Sequence, residues 1–207
     1  NGVRGTRVLV PVLENHYGLV LEQGLIRLRQ EQGMFHLAYG DARFPICPEC
    51  YGSLLQSAAS RLPGPQERGA LLEIAQAFEQ LPQLGPADPI DAKRARHETV
   101  RALKARLHEL LSARPPVAEA LTAELAAFNG EPGNSRTFER LDRLIERQHY
   151  RLARWKTGAH EINYRRFFAI DTLVGLRIEN DEVFRESHAR IAELIREQKI
   201  TGLRIDH

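Results

Sequence analysis

The chain has 207 residues, and its 29 Lys and Arg against 27 Asp and Glu leave a formal net charge of +2. So even a balance projects no long-range field, which argues against nucleic acid or an anionic membrane as partner and leaves a neutral ligand such as a sugar open. No apolar run approaches the roughly 20 residues that span a bilayer, and no signal-peptide pattern opens the chain, so a soluble, cytoplasmic protein is expected.

From Thr6 to Cys47, short runs rich in Val, Leu and aromatics are punctuated by Gly18, Gly24, Gly33 and Gly40. That spacing predicts an antiparallel meander with strands at Arg7–Leu13, Tyr17–Glu22, Leu25–Gln30 and Met34–Tyr39. From Tyr51 onward the period changes. Glu67–Leu81, Asp91–Ser112 and Pro116–Phe128 repeat apolar residues every three or four positions, as in Val100, Leu103, Leu107, Leu110 and Leu111, and read as amphipathic helices. Pro63-Gly64-Pro65, Pro82, Pro115-Pro116 and Gly130 to Gly133 separate them. A further helix, capped by Asn134 or Ser135, is predicted through Leu141, Leu144 and Ile145 toward Trp155. The Arg and Glu residues of these helices read as a solvated face carrying i,i+4 pairs.

The last part holds a polar and aromatic loop, a helix from about Asp181 to Lys199, and the hexapeptide Gly202-Leu203-Arg204-Ile205-Asp206-His207. Read as a strand, the hexapeptide places Leu203 and Ile205 on one face and Arg204 and Asp206 on the other. A guanidinium beside a carboxylate favours its ionised form, so Asp206 is expected to be charged at neutral pH and able to act as a nucleophile. The fold expected is mainly α with a small antiparallel β meander. Three segments are expected: a β-rich subdomain over 1–50, a helical subdomain over 51–158, and a segment over 159–207 that makes the latter half of a strand, helix, strand unit and ends in a strand.

Other clusters carry less. Cys47-Pro48-Glu49-Cys50 is a lone C-x-x-C without a second ligand pair, and no two His residues fall at a metal-binding spacing. The two cysteines therefore read as ordinary thiols of a reducing compartment, with no metal or cofactor expected. Glu146-x-x-His149 puts both residues on one helical face and reads as surface. Arg165-Arg166, flanked by Tyr164, Phe167 and Phe168, has the composition of a phosphate or base contact, but one basic pair in a neutral chain is thin evidence for nucleic acid.

The ordered set Glu161-Ile162-Asn163-Tyr164-Arg165-Arg166-Phe167-Phe168, Leu173-Val174-Gly175-Leu176-Arg177-Ile178-Glu179, Val183-Phe184, His188 and Gly202 to His207 resembles the maltooligosyltrehalose synthases, members of the α-amylase superfamily of (β/α)₈ barrels. Arg7 to Leu13, Tyr17-Gly18, Arg43-Phe44-Pro45 and Phe128-Asn129-Gly130-x-Pro132-Gly133 are similar to landmarks of that family's large insertion. The resemblance implies a fragment of a (β/α)₈ barrel enzyme: the insertion, with the helix and strand leading to the nucleophile. It implies an intramolecular transglucosylation that converts the reducing-end α-1,4 linkage of a maltooligosaccharide to α-1,1. A maltooligosyltrehalose trehalohydrolase would be the pathway partner.

By the same resemblance Asp206 is the nucleophile, Arg204 its charge partner, and His207 a sugar contact. Tyr164, Arg165 and Arg166 are candidate lining residues of the sugar cleft. The general acid Glu and the second Asp of the superfamily belong to later barrel strands and have no counterpart here, so the chain alone is expected to be inactive. With Asn1 at its start, Met34 as its one methionine and its end inside a predicted strand, it reads as an internal piece of a longer polypeptide. Two alternatives stand beside this: a non-catalytic helical module that binds α-glucan or protein, and a generic α-amylase superfamily hydrolase or transferase. The latter would share Arg204 and Asp206 but not the stretch from Glu161 to Phe168. Ala169 departs from the family pattern, which has an acidic residue there, and so does Asp171-Thr172.

Overall fold

A computed structural model describes residues 7–85 and 87–205. They divide into two units, one ending at Ala159 and one beginning at His160. Helices dominate, beside a small antiparallel sheet, as composition and periodicity suggest.

That sheet contains β2 (Ile26–Glu31), β3 (Met34–Tyr39) and β4 (Ala42–Pro45), in that order. Ile26 and Leu28 turn inward while Arg27 and Arg29 turn out, the two-residue period of a half-buried strand. Gln32 and Gly33, both at positive φ (50° and 75°), close the β2–β3 turn. Successive left-handed residues match the twist of a tight hairpin. On the outer edge of the sheet, the side-chain oxygen of Asn129 accepts from the Leu28 amide (2.7 Å) and its amide donates to the Leu28 carbonyl (3.0 Å). Asn129 thus supplies what a further strand would.

Two expectations for this region are corrected. Tyr17–Glu22 is helix α1, with Val20 and Leu21 buried together, adjacent residues that a strand would send to opposite faces. With no strand beside it, β1 (Val8–Leu13) leaves the meander and pairs in parallel with β5 (Tyr150–Arg154), in register from Val8 opposite Tyr150 to Pro11 opposite Ala153, with an irregularity before Leu13 opposite Arg154. The helix predicted to run toward Trp155 therefore stops early. A 3₁₀ turn (Ser135–Phe138) leads into α6 (Glu139–Glu146), and the chain then extends. Leu152 is buried in β5 and Arg151 is exposed, an alternation that the helical pattern upstream obscures.

Between β4 and α6 in the chain come α2 (Tyr51–Ala59), α3 (Pro65–Glu79), α4 (Ile90–Ala113) and α5 (Pro115–Phe128). Pro65 and Pro115 open their helices, where a missing N–H costs nothing. The most buried helix is α2, with Tyr51, Leu54, Leu55, Ala58 and Ala59 inside. The Tyr51 ring meets Phe35 edge-on at 4.8 Å and Phe78 at 4.7 Å, and its hydroxyl accepts from the Phe35 amide (2.9 Å). Residues of the β-rich segment and of the helices join one cluster of buried side chains. The Tyr17 hydroxyl donates to Asp142 (2.6 Å), tying α1 to α6.

After the single-turn α7 (Gly158–Glu161), the second unit contains a short hairpin, β6 (Arg166–Phe167) with β7 (Ile170–Val174), and α8 (Asp181–Arg196). Asn180 caps α8 by accepting from the amides of Glu182 and Val183 (2.9 and 3.2 Å). None of the described residues from 160 to 205 is buried. No helix among the described residues is long and apolar enough to cross a membrane.

Candidate functional site

The residues singled out by sequence all lie in the second unit. Asp206 and His207 fall outside the described residues. Gly202 to Ile205, including Arg204, are exposed and form no strand. A strand needs a ladder of backbone hydrogen bonds to a neighbour, and over the described residues Gly202 to Ile205 the expected strand is not formed.

Tyr164, Arg165 and Arg166 lead into β6, and the structure keeps them together. The Arg165 guanidinium donates to both carboxylate oxygens of Glu179 (2.9 and 3.0 Å). That pairing holds the Glu179 carboxyl below its usual range. The Arg165 carbonyl accepts from the Gly175 amide (2.7 Å), and a Cβ at Gly175 would stand 3.0 Å from Arg165 Cγ. Arg165 therefore fastens the hairpin to the start of α8. Both partners are exposed, so the pair sets geometry more than stability. Phe167 and Phe168 stack edge-on at 4.5 Å, with Phe168 at φ 51°, and both rings face solvent.

The first unit holds a second cluster, built from the C-x-x-C and from His149, which the sequence names separately but does not bring together. A cleft of about 430 Å³ is lined by Cys47, Glu49, Lys93, Arg96, Arg147 and His149, among others. Cys47 to Cys50 form the turn between β4 and α2, with Pro48–Cys50 in 3₁₀ geometry. His149 directly precedes β5, and its carbonyl accepts from the Val8 amide (2.9 Å). The β1–β5 pairing thus delivers the imidazole to the cysteine turn.

Cys47 Sγ, one carboxylate oxygen of Glu49 and a ring nitrogen of His149 all lie within 4.8 Å of one another. Cys50 Sγ is 3.1 Å from Cys47 Sγ. Gln148 braces the turn from behind: its oxygen accepts from the Cys47 amide (2.8 Å) and its nitrogen donates to Cys50 Sγ (3.5 Å). The Cys50 thiol is held below its ordinary pKa, first by the hydrogen bond from Cys47 and, against the cost of burial, by the Arg147 charge and the Gln148 amide. Cys47 is pushed the other way by that same hydrogen bond and by burial. Glu49 Oε1 pairs with Arg96, while Oε2 is buried without a hydrogen-bond partner among the described residues. A sulfur, an imidazole and a carboxylate that converge, with a second sulfur beside the first, make a set of metal-ligand donors.

Comparison with known proteins gives a partial link. No family model matches the chain, and no solved structure matches it. Over 62 residues, 30% of this chain, it is 48% identical to the "Putative maltooligosyl trehalose synthase" of Mycobacterium tuberculosis, in strains CDC 1551 / Oshkosh and ATCC 25618 / H37Rv. The aligned stretch spans 8% of the length of those relatives.

Proposed function

We propose that this chain is part of a maltooligosyltrehalose synthase of the α-amylase superfamily, and that its second unit leads to the nucleophile of the sugar site. The observation that carries the proposal is the 48% identity over 62 residues to proteins bearing that name, together with the motif order from Glu161 to His207. Two structural features support it. The β1–β5 pairing is parallel, the arrangement of barrel strands, which need covering on both faces. In addition, Phe184, Ile191 and Ile195 of α8 are all exposed, as on a helix made to lie against a sheet.

The mechanism proposed is retaining. Asp206 attacks the anomeric carbon of the reducing-end linkage, and a second carboxyl group, about 5 to 5.5 Å away in such enzymes, protonates the departing oxygen. The released glucose turns and returns through its own anomeric hydroxyl, so the glycosyl-enzyme bond breaks as the α-1,1 bond forms. Arg204 keeps Asp206 ionised, and His207 holds the sugar. In this proposal the acid comes from outside the 207 residues.

The test is the complete protein encoded by the gene, incubated with maltopentaose. A product without a reducing end is expected, and Asp206→Asn should lower kcat by at least about 10³-fold. The 207-residue chain alone should give no turnover above a buffer blank. Release of glucose and maltose without the capped product would replace the synthase with a hydrolase.

A further inference from the structure

We infer that Cys47, Cys50 and His149, completed by a carboxylate oxygen of Glu49, form a binding site for a divalent cation of zinc type. The bound cation would clamp the turn before α2 to the start of β5. This rests on the first unit alone and does not depend on the proposed synthase activity.

Donor chemistry selects the cation. Two thiolates, an imidazole and one carboxylate suit zinc far better than calcium or magnesium, which take oxygen donors. Geometry requires little motion. In a tetrahedral zinc site with bonds of about 2.0 to 2.3 Å, neighbouring donors stand about 3.3 to 3.8 Å apart. The two sulfurs are 3.1 Å apart, and Cys47, Glu49 and His149 already lie within 4.8 Å of one another. From there, a shared cation requires the Glu49, Cys50 and exposed His149 side chains to turn toward Cys47 Sγ.

Charge is consistent as well. Two thiolates, one carboxylate and a neutral imidazole around a dication sum to one negative charge, which the Arg96 guanidinium on Glu49 Oε1 balances. Arg96 engages one oxygen and leaves the buried Oε2 as the spare donor. Gln148 supplies the outer support found behind metal ligands, through its contacts with the Cys47 amide and Cys50 Sγ. On binding, the thiol protons pass to solvent.

The experiment uses the 207-residue chain, purified under reducing conditions and titrated with Co²⁺ and Zn²⁺. The expected result is about one equivalent of metal, with a near-ultraviolet thiolate-to-cobalt charge-transfer band that zinc displaces. Cys47→Ser and Cys50→Ser should each remove the band. Because Cys50 is fully buried and its replacement endangers folding, His149→Ala is the second variant. His149 is exposed, and the folded variant should bind about tenfold or more weakly. Zinc should also raise Tm, by an amount that grows with the logarithm of its free concentration once that exceeds Kd. Failure of the reduced chain to give the cobalt band, or isolation of a Cys47–Cys50 disulfide form that takes up no metal after reduction, would overturn the site. Unchanged affinity in His149→Ala would overturn the ligand set.

Discussion

Two glycines show how the same conformation carries different consequences at different places. Gly33 has φ +75° and Gly40 has φ +54°, so each sits where a side chain is strained. A Cβ at Gly40 would meet nothing within 4 Å, whereas one at Gly33 would stand 2.1 Å from the carbonyl oxygen of Lys104 in α4. Backbone cannot swing aside as a side chain can, so Gly33→Ala must push the β2–β3 turn off α4. Gly40→Ala should cost about 1 kcal/mol, the left-handed penalty alone, and Gly33→Ala about 2 to 4 kcal/mol. Urea unfolding of the two variants checks this, and equal losses would show that the contact with α4 carries no weight. The sequence marks both positions as turns. It gives no sign that one is pressed against a helix about seventy residues on, since that depends on how the sheet packs.

Among the elements, α2, α5 and α6 meet at a buried acid. The Glu124 side chain is 2% exposed. It accepts hydrogen bonds from the Ser57 hydroxyl (2.5 Å), Arg61 Nε (2.7 Å) and Arg140, and the Arg140 guanidinium also lies over the Phe128 ring at 4.0 Å. Burial alone would raise the Glu124 pKa, but these three bonds and the Arg140 charge outweigh it and hold the carboxyl below its usual range. A carboxyl depressed on folding contributes stability that is present above its unfolded pKa and is lost as pH falls through its folded pKa. His36 is shifted down by burial, so its contribution is likewise lost on acidification, starting from its unfolded value of 6.5. The wild type should therefore exceed Glu124→Gln in stability near neutrality, and the two curves should converge in acid. Chemical denaturation across pH measures the difference, and a gap that persists or widens in acid would refute the network. Proline and glycine breakers made the spans of α3, α4 and α5 readable. Glu124, however, looked like one more charge on a solvated face, because helical period gives spacing and not which face the neighbouring helices cover.

For the whole chain, legibility tracked sequence distance. Local features were readable: the β2–β3 hairpin, the start of α8 at Asp181, the three long helices. Features made by distant pairing were not. Nothing in Arg7–Leu13 points to Tyr150–Arg154 as its partner, and the cysteine–histidine cluster joins the turn before α2 to the residue just before β5. The same contrast separates the two units. Among the described residues, the buried apolar side chains lie at or before Leu152, while Phe168, Val174, Leu176 and Ile205 of the second unit stand exposed. Burial of apolar area is the main source of folding stability, so the second unit should add little to that of the first. A chain ending at Ala159 should then unfold within about 4 °C of the 207-residue chain, the shift expected of about 1 kcal/mol in a protein of this size. In the longer chain, amides of α8 should exchange hydrogen well before those of α2, because segments with few buried contacts open at low cost. Calorimetry of both chains with hydrogen exchange of the longer one makes the test. A drop in Tm well beyond 4 °C, or protection of α8 equal to that of α2, would mean that the exposed apolar residues of the second unit are covered in solution.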